Sequence, residues 1–352
     1  MKTLLLFLPL MLACGGAVGT TVTDAGDAGA TCSTIGADVS VEDQTSIYPG
    51  YAIDGCRLAY VQRGTQRLVL RDLATGTEQF LTAAPPTPGD VPRRPTLGSD
   101  TVAWESGSPS SVVVWKAGVK STVIGPFDHA GEPRAFGGSV VFTAWLSTDA
   151  PGDTDVYLYD VATASVSVVA SGPGQQRFAD VSDKFVAYTD FSEDPDGRFD
   201  GNDTDLADIV VHDRATKVST TRKATGKQAF PVLVGDDALG YLHWGDVHPE
   251  PKFQAFGVRG ARIGTPQSSD VAIADVTNAT RFWLPSGRGG TLDWIAPDAN
   301  GKESLWRAPV DGSSVKTSVL DGSFAGAPQA SSTLTVVAVR SGTTSTLREV
   351  SR

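Results

Sequence analysis

Three cysteines, two methionines and four histidines in 352 residues leave little material for a metal cluster, and with no CxxC pair the thiol redox motif is excluded. No G-x-S-x-G elbow occurs, so the nucleophile turn of an α/β-hydrolase is missing. Gly287, Arg288, Gly289 and Gly290 read as a turn between strands, with no following helix to cradle a phosphate. Beyond residue 13 no apolar run approaches the length of a membrane-spanning helix. Lys and Arg number 29 against 40 Asp and Glu, a net charge of -11, and no basic cluster is visible; a nucleic-acid partner is excluded. Long amphipathic helical periods are missing as well. What is plentiful is punctuation: 38 Gly and 21 Pro break the chain into short β-rich runs, the mark of a turn-rich globular protein.

The N-terminus is a different kind of segment. "MKTLLLFLPLMLAC" places Lys2 before an apolar stretch from Leu4 to Leu12, and Ala13 before Cys14, which reads as an export signal over residues 1–13. Its "MLAC" end resembles the lipobox of bacterial lipoproteins. That resemblance implies lipidation of Cys14 and a membrane partner reached through acyl chains. Gly15 is not the Asp that retains such proteins at the inner membrane, so outer-membrane placement is favoured. Residues 14–35, rich in Gly, Ala, Thr and Asp, read as lipidated cysteine plus flexible tether. Cys32 and Cys56 then remain for each other in an oxidising compartment, and a disulfide is expected.

From residue 36 to 352 the chain repeats. "YAIDGCRLAYV", "PTLGSDTVAWE", "RAFGGSVVFTA", "ADVSDKFVAYT", "VLVGDDALGYL", "PSGRGGTLDWI" and "QASSTLTVVAV" each give a strand, a polar turn and a second strand. Tyr60, Trp104, Phe142, Tyr188, Tyr241 and Trp294 occupy one slot, with Ala338 in the last copy, spaced 44, 38, 46, 53, 53 and 44 residues apart. Such a period suits a four-stranded blade. A following strand ends in Asp72, Asp160 or Asp213, each succeeded by x-Ala-Thr; an aspartate there can accept backbone N–H groups two residues on and close a turn.

These motifs resemble the TolB-like β-propellers, relatives of the prolyl oligopeptidase propeller. The resemblance implies an all-β ring of seven four-stranded blades, with six as the alternative. The last copy has room for two or three strands, so the N-terminal segment 37–43 is expected to supply its outer strand and close the ring. Trp104 and Trp294 should fill the space between blades, whereas Trp145 and Trp244 lie just past the repeated strand and are expected at the surface.

Two constellations carry possible chemistry. In "HWGDVHPE", His243, Asp246, His248 and Glu250 are suitable zinc or manganese ligands; the family resemblance adds that some propeller lyases of pectin fragments hold a metal in a His-lined channel. In "SEDPDGRFDGNDTDLADIVVHD", Asp194, Asp196, Asp200, Asp203 and Asp205 could supply oxygens to calcium, although the spacing fails the EF-hand register. The shared "DTD" of the third and fourth copies places this cluster in the hairpin between second and third strands. The expected role is a binding or scaffolding module for a protein or glycan on a propeller face; the alternatives are a metal-dependent lyase or hydrolase and a calcium-stabilised adhesin. Asp208 sits between the cluster and the next strand, without an assigned role.

Overall fold

The computed structural model describes residues 32, 35, 39–42, 48–83, 90–116, 118–123, 125, 127–146, 152–199, 206–244, 255–277, 279, 283–314 and 316–352. Cys14, Asp200, Asp203, Asp205, Asp246, His248 and Glu250 lie outside these.

Seven antiparallel blades follow one another along the chain. Blade 1 holds β1 (Tyr51–Asp54), β2 (Arg57–Val61), β3 (Leu68–Asp72) and β4 (Glu78–Phe80), and blade 2 holds β5 (Arg93–Gly98), β6 (Thr101–Ser106), β7 (Ser111–Lys116) and β8 (Val119–Thr122). Blade 3 comprises β9 (His129–Phe136), β10 (Ser139–Trp145), β11 (Asp155–Asp160) and β12 (Ser165–Ala170). Blade 4 comprises β13 (Gln176–Val181), β14 (Phe185–Asp190), β15 (Asp208–Asp213) and β16 (Ser219–Arg222). Blade 5 is β17 (Lys227–Leu233), β18 (Ala238–Trp244), β19 (Phe256–Arg262) and β20 (Val271–Val276); blade 6 is β21 (Ser286–Arg288), β22 (Thr291–Pro297), β23 (Glu303–Pro309) and β24 (Thr317–Asp321). Blade 7 has β25 (Gln329–Ala330), β26 (Leu334–Ser341) and β27 (Thr344–Ser351). Among the described residues no helix is long and apolar enough to cross a membrane.

Each first strand lies against the first strand of the next blade, and β25 against β1, so the strands form a closed ring around an axis. The ring is of seven, and the six-bladed alternative falls. Blade 7 is completed as the repeat arithmetic requires. Val41 donates its N–H to Ser345 O at 3.0 Å and Val39 O accepts from Leu347 N at 3.0 Å, while Glu42 N reaches Val61 O at 3.1 Å. The sealing strand thus touches blade 7 and blade 1 at once.

Second strands are covered on both faces by neighbouring blades, which is why they read as apolar runs rather than alternating ones. Tyr60, Trp104, Phe142, Tyr188, Tyr241, Trp294 and Ala338 are all buried at the predicted slot. The outer strands β4 and β8 are exposed throughout. Trp145 is half-buried, but Trp244, expected at the surface, is buried at 2%. Phe230 and Phe256 enclose its ring at 6.0 and 6.1 Å, and the Lys227 ammonium lies 5.6 Å from it. Those neighbours come from other strands, so the position just past the repeated slot gave no hint of them.

Polar stitches join successive blades. Asp54 accepts Ser99 N–H at 2.5 Å, Thr96 accepts Ala135 N–H at 2.9 Å, Glu132 accepts Phe178 N–H at 3.5 Å and Asp180 accepts Leu233 N–H at 2.8 Å. Val234 O accepts from Gly290 N at 2.9 Å and Ser286 from Ala330 N at 2.9 Å. The Tyr51 hydroxyl closes the circle, donating to Ala327 O at 2.7 Å and accepting from Ala338 N at 2.9 Å. Ala135, Phe178, Leu233 and Ala330 are on first strands, whose inner edge has no further partner strand, and there the stitch satisfies a backbone N–H.

Candidate functional site

The turn aspartates hold the positions expected of them. Asp72 Oδ1 accepts from Ala74 N and Thr75 N at 2.8 and 3.0 Å, Asp160 Oδ1 from Thr163 N at 2.8 Å, and Asp213 Oδ1 from Ala215 N and Thr216 N at 2.9 and 2.8 Å. Backbone donation from Thr163 and from Thr216 holds the carboxyls of Asp160 and Asp213 below the usual range. These three residues are structural.

The acidic loop does join β14 to β15, the second and third strands of blade 4. Within its described part Asp194 is largely buried; Oδ1 accepts Asp196 N–H at 3.0 Å and Oδ2 accepts Leu206 N–H at 2.7 Å, across the width of the loop. Asp196 Oδ1 accepts Arg198 N–H at 3.0 Å. Their visible work is to fold the loop. His243, on β18, sets its Nε2 3.1 Å from Thr225 O, a contact the ring makes when Nε2 carries the proton. His243 does not line the axial channel. Among the described residues no three of His, Cys, Asp and Glu gather as a metal site would require.

Asp208 is the first residue of β15 and stands opposite Asp190 on β14. Burial pushes its carboxyl up to about 6; Lys223 opposes this, while Glu193 and Asp190 add to it. The protonated form is therefore the one the fold prefers, so this residue's contribution is full below the unfolded carboxyl value of about 4 and lost as the pH rises through about 6. Asp208→Asn should raise the melting temperature at pH 7, with the gain shrinking to nothing below about pH 4. Thermal melts of both proteins across that window, with a carboxyl NMR titration, check it.

A groove of about 420 Å³ opens on the face that carries the second-to-third-strand hairpins, across blades 2, 3 and 4. It is built on a repeated backbone irregularity. Arg94, Glu132, Phe178 and Phe230 sit at the same place in β5, β9, β13 and β17, with φ of 49°, 55°, 54° and 59°, and strand pairing slips beside each. Four adjacent non-glycine residues in the left-handed region, each costing on the order of 1–3 kcal/mol, point to a constraint shared by the ring. Proline follows three of them, as Pro95, Pro133 and Pro231, and also follows Tyr48, Leu284 and Ala327 in the other blades. An inner strand has no neighbouring strand to donate to at its free edge, so proline fits there. This x-Pro repeat was the unread sequence signal for the site.

The bulges direct charged side chains toward one another. Glu132, with a side chain 5% exposed, takes the Arg177 Nη2 donor on Oε1, lies 3.8 Å from Arg94 Nη1, and accepts from Thr143 Oγ1 at 3.3 Å. Glu105 pairs with Arg93 and Arg94 at 2.8 and 3.0 Å. Burial alone would raise the Glu132 pKa, but Arg177 and Arg94 outweigh it and hold the carboxyl below its usual range. It is therefore a fixed anion and a poor general acid. Beside the network lie His129 and Trp145, ring centroids 6.1 Å apart, with His129 Nδ1 3.2 Å from Ser110 Oγ. The indole N–H of Trp145, shielded from solvent, has no partner among the described residues.

A second cavity of about 460 Å³ separates blades 5 and 6, floored by Ala238, Gly260, Ala261 and Gly290. Gly260 is obligatory there, because a Cβ would stand 1.8 Å from Val310 O. Its charged side chains, Asp237, Arg262 and Asp311, are exposed, whereas the first groove is lined by the buried Glu105 and Glu132, which makes the first the better binding site.

The chain is thus a seven-bladed β-propeller with a preformed polar and aromatic groove on one face. No protein-family model matches it, and no curated protein does. Solved structures supply the likeness. The β-propeller domain of the Trilobed protease from Pyrococcus furiosus is 9% identical, with a TM-score of 0.63 over 89% of this chain and 94% of that one. An oligogalacturonate lyase in complex with manganese is 12% identical, with a TM-score of 0.56 over 91% and 96%. TolB from Acinetobacter baumannii is also matched, 17% identical with a TM-score of 0.47 over 73% of this chain, which spans 61% of the TolB chain's length. At these identities the shared property is the propeller fold.

Proposed function

We propose that this chain is a cell-envelope lipoprotein, anchored by lipid on Cys14 in the outer membrane, whose propeller binds a protein or glycan ligand in the groove over blades 2 to 4. The observation that carries the binding role is the preformed groove of about 420 Å³, in which the His129 and Trp145 rings stand beside the Glu105, Glu132, Arg94 and Arg177 ion pairs. A fixed charge network needs no rearrangement when the ligand arrives. Trp145→Ala should weaken capture of the ligand from detergent-solubilised envelopes about tenfold or more, as truncation of a central aromatic anchor does, with the melting temperature little changed. Equal recovery with wild type and variant would sink the proposal.

A manganese-dependent lyase is the second reading, favoured by the lyase among the similar folds and by the ligand types at His243, Asp246 and His248. It requires manganese binding that is lost in His243→Ala, which calorimetry reads directly. An adhesin reading rests on Asp194 to Asp205 and requires a calcium-dependent rise in melting temperature.

A further inference from the structure

The axial channel is spanned by side chains rather than open. Tyr48 of the segment before β1 stacks on Phe178 of blade 4 at 6.5 Å, and Phe178 meets Phe230 at 4.5 Å. Blades 1 and 4 face each other across a ring of seven, so these contacts cross the axis and close one end. Below them Arg134 of blade 3 reaches Gln329 of blade 7 at 3.4 Å. Lower still, Arg288 of blade 6 covers the Phe136 ring of blade 3 at 4.5 Å. Both arginines line one cavity of about 50 Å³.

The cavity has more donors than acceptors. Among the described residues neither Arg134 nor Arg288 has a carboxylate at ion-pair distance, in contrast to Arg94, Arg177 and Arg307. Asp180 is the one carboxylate in the lining, and its Oδ2 accepts Leu233 N–H. Thr96 and Ser286 accept the N–H groups of Ala135 and Ala330, and the Gln329 amide donates to Pro328 O at 2.7 Å. Two guanidiniums, with about five N–H donors each, therefore share a confined space whose one carboxylate, Asp180, is not at ion-pair distance from either of them. Both guanidiniums are half-buried, and a partly desolvated cation gains from an anion partner. A single water needs about 10–15 Å³, so the space suits one small oxyanion or a few waters and is too small for a sugar or a peptide.

We propose that the channel binds a small oxyanion, a phosphate or a carboxylate, between Arg134 and Arg288. The ion enters from the face of the first-to-second-strand turns, since the aromatic closure blocks the other end. This site is separate from the groove over blades 2 to 4 and stands independently of it.

The test uses the whole protein with inorganic phosphate and, separately, acetate, each against sodium chloride at matched ionic strength. Saturable binding is expected, seen as phosphorus NMR line broadening for phosphate and as calorimetric heat for either ion. Arg134→Gln and Arg288→Gln should each weaken it about tenfold or more, the worth of a charge-assisted hydrogen bond. Arg262→Gln, on an exposed residue outside the channel, should leave it unchanged. Near-UV circular dichroism confirms that each variant is folded, and Arg288→Lys, which retains charge, should keep part of the affinity. Binding of one ion alone assigns the site to that source of oxyanion. Absence of saturable binding in wild type, or equal affinity in the channel variants, overturns the proposal.

Discussion

Glu132→Ala should lower the unfolding free energy by about 3–5 kcal/mol, the usual cost of removing one partner from a buried ion pair, and the melting temperature by on the order of 10 °C. The carboxylate is nearly inaccessible, and it serves Arg177, Arg94, Thr143 and the Phe178 N–H together. Alanine would leave Arg177 without its carboxylate, while Arg94 keeps Glu105. The damage therefore falls on the blade 3 to blade 4 junction. Glu132→Gln keeps an oxygen for Thr143 and Phe178 but removes the charge, so its loss should be intermediate. The pH dependence separates this from a packing defect. A carboxyl held below its ordinary value stabilises the fold above the unfolded value of about 4.3 and loses that contribution as the pH falls through the lower folded value. Wild type should consequently lose stability more steeply than Glu132→Ala in the acid range, and the two curves should approach each other there. Parallel curves would mean that the charge is not what the site uses.

The blade count was legible because a second strand sandwiched between neighbours selects a large apolar residue at one slot, and Tyr60, Trp104, Phe142, Tyr188, Tyr241 and Trp294 report that selection directly. Asp72, Asp160 and Asp213 were legible for a similar reason: their hydrogen bonds reach only two or three residues along the chain. Trp244 was not, since its burial depends on Phe230, Phe256 and Lys227 arriving from other strands. The groove was hidden for the same reason. Arg94, Glu105, Glu132 and Arg177 belong to three blades, and no local spacing brings them together. Only the recurrence of proline after the bulged residue hinted that one ring position was built differently. Arg134 and Arg288 meet around one cavity only because blades 3 and 6 face each other across the axis.

Ring closure yields the other large effect. Cys32 and Cys56 are joined, their Cα atoms 5.2 Å apart and 24 residues apart in sequence, a loop whose cross-link contributes about 3.5 kcal/mol in the chain-entropy account. The bridge ties the start of the sealing segment to the β1–β2 turn, and Ile35, Val39 and Val41 are buried beyond it among Leu58, Tyr60 and Leu347. Cys32→Ser should therefore lower stability by about that amount while the three apolar side chains still hold the strand. Deleting residues 1–42 should cost much more. Burial of each such side chain contributes about 1.5–3 kcal/mol, and β27 would lose the partner that now takes up Ser345 O and Leu347 N. An unpaired outer edge of this kind invites pairing between molecules. Hydrogen exchange at Leu347 should thus accelerate in Cys32→Ser with a folded monomer retained, whereas the truncated chain should melt far lower and associate. If truncation and serine substitution lowered the melting temperature equally, the disulfide alone would close the ring and the strand would only decorate it.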